Sequence, residues 1–197
     1  MKTGEWLKDP QAYADMDYLC SEAAQSRSVI AAHLLRECPH VLELGGFKTP
    51  ITLYLTGRHE SVTVVDPLMR DYEADSLNGY PCRVRHISQP FQNLGLKTDE
   101  TWGFVMLGAS LKHFSEDAPG REQEWNALVA MVTAARVAVI EAAVDWPLGK
   151  EILDRLVELP GIEVRASIDL DLSANPGMDP DHYRRRLLLL SPEGDRS

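Results

Sequence analysis

Hydrophobic and polar residues follow two periods along the chain, one typical of strands and one of helices. Short apolar runs of strand length end at Leu44, Val65 and Leu107, and each is followed by a glycine or an aspartate. Elsewhere apolar residues recur at helical spacing, as in 122–135, where Trp125 and Leu128 share one face. Strands that alternate with helices predict an α/β domain built on a parallel sheet.

The predicted elements cover most of the chain. Strands are expected at 41–44, 62–65, 82–87, 102–107 and 136–144. Helices are expected at 6–37, 50–55, 122–135 and 149–159, and a weaker, polar helical pattern covers 71–79.

The last third of the chain has a different pattern. Residues 162–172 alternate strictly between apolar and polar, which is typical of a strand with one solvent-facing side near a sheet edge. Residues 187–190 are continuously apolar, so they are expected between two neighbouring strands. Because no helical segment separates the two, they should form an antiparallel pair. The predicted fold class is a doubly wound, mostly parallel sheet of seven strands, with an antiparallel last strand and helices on both faces.

The glycine turn after the first strand is the main candidate for a ligand site. Gly45 and Gly46 allow a tight turn that presents bare backbone N–H groups, because no side chain blocks a ligand. Asp66 ends the second strand about 20 residues later, the distance at which such a fold places an acid against ribose hydroxyls. These residues predict half of a nucleoside-cofactor site, and the alternative for Asp66 is a helix N-cap before Pro67.

Glu43 lies inside an apolar strand, where an unpaired charge is costly. Pairing with a cofactor amine or with backbone donors would explain it. The other interpretation is a buried structural carboxylate.

Composition narrows the class of partner. Thirty acidic residues against twenty Lys plus Arg give a formal net charge of −10, and no long basic stripe is present, which disfavours a nucleic-acid substrate.

Three cysteines without CxxC spacing indicate reduced thiols in a cytoplasmic protein. No signal core and no apolar run long enough for a membrane span is present. The histidines show no metal-ligand spacing, so no metal is expected. The oligomeric state stays open, with a homodimer as one option.

The order of elements, the glycine turn and the acid-ended second strand resemble the class I S-adenosylmethionine-dependent methyltransferase family over nearly the whole chain. Residues 43–49 stand where that family has an acid-x-Gly-x-Gly-x-Gly loop. Glu43 and Gly45 match this loop, whereas Phe47 and Thr49 replace its second and third glycines. Residues 102–114 resemble the fourth-strand motif of the small-molecule branch. The resemblance implies one methyltransferase-like domain over 1–197, with an N-terminal helical cap (1–39) and a Rossmann-like core (40–197).

The resemblance also implies a cofactor, S-adenosylmethionine, and residues that would bind it. Asp66 matches the ribose-binding acid of the family, and Ser88 or Gln89 would contact the adenine in place of the family's usual acid after strand three. The expected cofactor-binding residues are Glu43, Gly45, Gly46, Phe47, Asp66, Pro67, Ser88, Gln89 and Gly108.

Acceptor-side residues are expected at the same sheet edge, where open α/β proteins bind ligands. His113, after the fourth strand, is the candidate general base, and a solvated or packing histidine is its alternative. The expected substrate-binding residues are Tyr18, Glu141, Asp145, Asp179, His182 and Tyr183. The carboxylates of Asp145, Asp179 and Asp181 favour a cationic or amine-bearing acceptor, although acidic loop residues are usually solvated.

The sequence therefore predicts methyl transfer from S-adenosylmethionine to a small molecule. A non-catalytic S-adenosylmethionine- or nucleoside-binding module, or a subunit of a complex, is the alternative. A nicotinamide-dependent oxidoreductase is disfavoured, because Gly46, Phe47 and Lys48 follow Gly45 and no Gly-x-Gly-x-x-Gly pattern is present.

Overall fold

A computed structural model describes residues 22–56, 58–115, 117–174 and 180–194, and of residues 22, 23 and 113 the backbone alone. Within these residues eight strands form one mixed sheet, in the order β3-β4-β2-β1-β5-β6-β8-β7. The strands are β1 His40–Leu44, β2 Ser61–Val65, β3 Tyr72–Leu77, β4 Tyr80–Ile87, β5 Trp102–Leu107, β6 Val137–Ala143, β7 Ile162–Asp171 and β8 Arg184–Pro192.

Five neighbouring strands run parallel, namely β4, β2, β1, β5 and β6. Strand β8 is antiparallel to both β6 and β7, and β7 lies at the edge of the sheet. The predicted antiparallel pair is confirmed. The apolar run Leu187–Leu190 lies between two strands, whereas alternate residues of β7 are exposed to solvent at the edge.

Strand β3 corrects the sequence-based prediction of a weak helix over 71–79. Tyr72–Leu77 pairs antiparallel with β4 through the turn Asn78-Gly79, where φ is 52° and 83°. Asn-Gly with positive φ at both positions is the preferred two-residue hairpin turn, because its twist matches that of the strands it joins. The turn dipeptide thus outweighs the polar character of the segment, and the sheet has eight strands rather than seven.

Helices cover both faces of the sheet, as predicted. The helices are α1 Glu22–Leu34, α2 Ala118–Ala134 and α3 Pro147–Val157. Alternate residues along the strands divide the core: Val41 and Val62 pack with α1, whereas Leu42 and Phe104 pack with α2 and α3. The fold class is therefore confirmed, with one additional strand.

The predicted crossover helix over 50–55 is wrong. A single 3-10 turn, Ile51–Leu53, replaces it. The β-branched residues Ile51, Thr52 and Thr56 have a lower helix propensity than straight-chain residues, so this short segment does not favour an α-helix.

None of the helices within the described residues is both long and apolar enough to cross a membrane.

Candidate cofactor and acceptor site

The carboxyl ends of β1 and β2 lie side by side. Leu44 pairs with Val65, and the N–H of Gly45 donates to the carbonyl of Val65 at 2.9 Å. The glycine turn and Asp66, which directly follow these two residues, therefore lie side by side at the edge of the sheet where α/β proteins bind ligands, and we call this region the crevice.

The turn itself requires glycine. Gly45 and Gly46 have φ of +95° and +108°, values that residues with side chains rarely adopt. A Cβ on Gly46 would lie 2.7 Å from Oε2 of Glu43 and 3.2 Å from Cα of Pro50. The loop thus packs its bare backbone directly onto the strand below.

Asp66 connects the two strand ends. Its Oδ2 accepts the backbone N–H of Phe47 at 3.2 Å, and its Oδ1 accepts the N–H of Leu68 at 2.7 Å. The residue is 7% exposed, and this burial raises the pKa of its carboxyl, while the two backbone N–H groups oppose the rise. Each oxygen keeps a lone pair for a further donor, such as a ribose hydroxyl.

Glu43 supports the loop from beneath. Its Oε2 accepts the N–H of Ile51 at 2.7 Å, and the residue is 1% exposed. Burial raises the pKa of Glu43 to about 8; nearby Asp66 raises it further, while the Ile51 N–H and Arg27 lower it. At neutral pH this carboxyl is therefore largely protonated. A backbone donor, one of the two partners expected for it, is present.

The end of β4 forms the third side of the crevice. The N–H of Asp66 donates to the carbonyl of Ile87 at 3.1 Å, which places Ser88 next to Pro67. Ser88 Oγ lies 3.5 Å from the carbonyl of Pro67, and its N–H donates to Asp71 at 2.7 Å. Gln89 follows on the exposed surface.

Gly108 directly follows β5 and Glu141 lies on the neighbouring strand β6, at the other side of β1. The N–H of Gly108 donates to Oε2 of Glu141 at 2.7 Å, and the N–H of Ala109 donates to the Glu141 carbonyl at 2.7 Å. Gly108 has φ +77°. The backbone just after β5 is thereby fixed by β6.

Two buried arginines hold the same carboxylate. Arg27 Nη1 on α1 and Arg185 Nη2 on β8 each lie 3.1 Å from Oε2 of Glu141, and Arg185 Nε also pairs with Oε1. Arg27, Glu141 and Arg185 are 5%, 0% and 4% exposed. We call these three residues the buried ion cluster; it joins α1 to the sheet beside Gly108.

The arginines of this cluster were missed by sequence reasoning. One signal was available: Glu141 in an apolar central strand requires a cationic partner, because an isolated buried charge is costly. A second signal was the position of Arg185 two residues before Leu187, since alternation along a strand places both side chains on the same face.

The loops above β6 and β8 also pair their charges. Asp145 accepts from Arg184 Nε at 2.7 Å, and this guanidinium holds the pKa of Asp145 below its usual range. Because Asp145 is paired with Arg184, it no longer supports a cationic acceptor.

Aromatic groups border the same loops. The rings of Trp146 and His182 lie 4.7 Å apart, and Nζ of Lys112 lies 4.9 Å from the Trp146 ring. Tyr183, the next residue after His182, packs against Ala24 and Leu172.

The remaining predicted acceptor-side residues lie wholly or partly outside the described part of the chain. Tyr18 and Asp179 lie outside the described residues. The backbone of His113 ends the 3-10 turn Leu111–His113 after β5, and its side chain is outside the described part. Within the described part of the chain, no three His, Cys, Asp or Glu side chains group as a metal site.

No protein-family model and no curated protein matches the sequence. Solved structures match by fold. The N-methyltransferase NodS of Bradyrhizobium japonicum, solved with S-adenosyl-L-homocysteine, has a TM-score of 0.66 at 12% identity, over 97% of this chain and 96% of that chain.

Two further structures show the range of these neighbours. The 1,6-didemethyltoxoflavin-N1-methyltransferase of Burkholderia thailandensis, solved with 1,6-didemethyltoxoflavin and S-adenosylhomocysteine, has a TM-score of 0.63 at 14% identity, over 96% and 86% of the chains. The 23S rRNA methyltransferase ErmE has a TM-score of 0.51 at 14% identity, over 86% and 68%. The chain therefore has the fold of the class I S-adenosylmethionine-dependent methyltransferases.

Proposed function

We propose that this protein binds S-adenosylmethionine at the carboxyl ends of β1 and β2 and transfers its methyl group to a small molecule. One observation carries the proposal: Asp66 accepts the N–H of Phe47 from the glycine turn, so an acid and a bare backbone loop face one crevice. The fold supports it, because two neighbours with this fold were solved with S-adenosylhomocysteine.

The residues of the crevice fit the cofactor. Gly45 and Gly46 have positive φ angles that favour glycine, and a ligand would approach the bare backbone at Gly45. Asp66 would accept the ribose hydroxyls, and Ser88 or Gln89 at the end of β4 would face the adenine. Gly108, held by Glu141, would line the methionine end.

The chemistry asks little of the protein beyond positioning. When bound, S-adenosylmethionine supplies a methyl group on a positively charged sulfur, already activated for in-line displacement. The crevice residues orient the donor and exclude water, and alignment alone lowers the barrier substantially. The nucleophile loses a proton where it is a hydroxyl or an ammonium group, and His113 is the proposed base.

The proposal of a small acceptor has two supports. The toxoflavin enzyme, which has a small molecule bound, matches at TM-score 0.63, against 0.51 for the rRNA enzyme. The net charge of −10 also opposes binding of a polyanion.

Calorimetric titration with S-adenosylmethionine, S-adenosylhomocysteine and NAD tests the cofactor. We expect binding of the first two and none of NAD. Transfer of a labelled methyl group to a metabolite fraction, compared with an RNA fraction, then tests the acceptor. Binding of NAD alone would reject the proposal.

A second candidate is a non-catalytic S-adenosylmethionine-binding module. Phe47 favours it, since a bulky side chain follows Gly46 where the class I loop has a glycine. This candidate predicts cofactor binding without methyl transfer to either fraction. If the Phe47 side chain blocks the methyl donor, Phe47→Gly should restore methyl transfer.

A further inference from the structure

A second cavity lies at the opposite, amino edge of the same strands. It has a volume of about 320 Å³. Its lining residues are His40, Ser61, Thr63, Arg83, Arg85, Asp99, Thr101 and Trp102. His40 and Leu44 begin and end β1, so about 13 Å of strand separates this cavity from the glycine turn.

Strand register explains how the cavity forms. Trp102, His40, Ser61 and Arg83 are direct partners across β5, β1, β2 and β4, so their side chains lie in one row on one face. Thr63 and Arg85 pair one step further along that face. An aromatic ring, an imidazole, hydroxyls and two guanidinium groups are thereby placed side by side.

The helical layer covers this row only in part, since Trp102, His40 and Ser61 are half-buried and Arg83 is exposed. On the same face Leu42 and Phe104 are buried in the core with α2 and α3, at 1% and 0% exposure. Arg85 on β4 lies in the same cross-strand row as Leu42, two strands away, and it is exposed. Arg83 is also exposed. Helix cover thus decreases beyond β1, where Ser61 and Thr63 are half-buried and the two arginines of β4 are exposed.

Most polar groups of this row already have partners within the protein, and His40 Nε2 lies 3.9 Å from Oε2 of Glu60. Arg83 makes no ion pair with any residue of the described ranges, whereas Arg85 Nε pairs with Glu73 at 3.0 Å on the exposed surface. His40 Nδ1 lies 2.9 Å from Ser61 Oγ. Asp99 is the one acid among the described lining residues, and its Oδ1 already accepts from the N–H and hydroxyl of Thr101.

These groups define the ligand chemistry. Arginine guanidinium groups and hydroxyl donors together suit the several oxygens of a phosphate. Asp99 suits a hydroxyl on the same ligand. A cavity of about 320 Å³ holds a small molecule, and the net charge of −10 opposes a longer polyanion.

We infer that this cavity binds a small phosphorylated polyol, with Arg83 as the main phosphate ligand. The ring of Trp102, 5.2 Å from the His40 ring, forms the apolar wall. The site is separate from the cofactor crevice, so the inference does not depend on methyl transfer.

Calorimetric titration with D-ribose 5-phosphate at low ionic strength tests this inference, with D-ribose and D-ribonate as the neutral and carboxylate counterparts. We expect ribose 5-phosphate to bind at least about tenfold more tightly than ribose. Arg83→Ala should weaken the binding of ribose 5-phosphate by about tenfold, the loss expected for one hydrogen bond to a charged group. Arg186→Ala, another exposed strand arginine, paired with Asp169 on β7, is the matched control and should bind normally.

Four results would overturn the inference. They are no binding of ribose 5-phosphate to the unaltered protein, equal binding of all three sugars, equal losses in Arg83→Ala and Arg186→Ala, or binding of an RNA oligonucleotide alone. Arg83 is exposed, so its variant should fold normally, and its S-adenosylhomocysteine affinity should be unchanged. Failure here is therefore distinguishable from failure of the proposed function.

Discussion

The backbone N–H of Phe47 donates to Oδ2 of Asp66 at 3.2 Å, which ties the glycine turn after β1 to the acid after β2. Two segments that are distant in sequence thus form one wall of the crevice. Asp66 holds the loop and, in our proposal, would also bind the ribose, so its substitution should affect ligand binding both directly and through the loop.

Asp66→Ala should weaken S-adenosylhomocysteine binding by at least about tenfold, because hydrogen bonds to a charged group contribute about 1.5–3 kcal/mol each. Calorimetric titration measures this loss. Asp75→Ala, an exposed acid on β3, is the control and should bind normally. Equal affinity of both variants would remove Asp66 from the site.

Gly46→Ala should destabilise the protein by about 1–3 kcal/mol and weaken cofactor binding, since its Cβ would lie 2.7 Å from Glu43 Oε2. Gly79→Ala is a matched control. Gly79 also has positive φ, at +83°, but a Cβ there meets nothing within 4 Å. Urea unfolding of both variants separates the clash from the backbone strain. Equal losses would show that Glu43 does not constrain the loop.

The pKa of Glu43 predicts a dependence of stability on pH. Burial raises this pKa from 4.5 to about 8 in the folded protein. Between these values the unfolded chain has released a proton that the folded protein keeps, so the free energy of unfolding falls as pH rises. The slope is at most about 1.4 kcal/mol per pH unit.

Glu43→Gln keeps the shape of the protonated side chain and does not titrate. Its stability relative to the unaltered protein should therefore increase from pH 5 to pH 8. Urea unfolding across this range measures the difference. A constant difference would mean that Glu43 ionises normally.

The buried ion cluster predicts a large loss of stability in Glu141→Ala, about 3–5 kcal/mol, because Arg27 and Arg185 lose a buried carboxylate. Glu141→Gln retains an acceptor for the Gly108 N–H and should lose less. Asp145→Ala removes an exposed partner of Arg184 and should have a small effect. If Glu141→Ala unfolds at the same urea concentration as Asp145→Ala, the cluster does not stabilise the fold.

Patterns within short segments predicted the sheet well. The apolar runs at β1, β2, β5 and β6, and the contrast between β7 and β8, follow from side-chain alternation and burial, which are local properties. Strand β3 does not follow from the polar composition of 71–79, whereas the turn dipeptide Asn78-Gly79 before β4 is the local feature that indicates a hairpin.

The site was only partly predictable. Gly45, Gly46 and Asp66 come together because parallel strands bring their carboxyl ends to one edge. The partners of Glu141 could not be identified, since Arg27 and Arg185 lie 114 and 44 residues away along the chain. Separations of this size depend on how helices and strands pack, which no local pattern contains.

A crystal structure of the protein with S-adenosylhomocysteine tests the central claim most directly. The account predicts that both ribose hydroxyls lie within hydrogen-bond distance, about 2.7 Å, of the Asp66 carboxylate, with the amino-acid end of the ligand over Gly45 and Gly46. Ligand density at any other place, or a crevice that stays closed by the Phe47 side chain at saturating ligand, would contradict it.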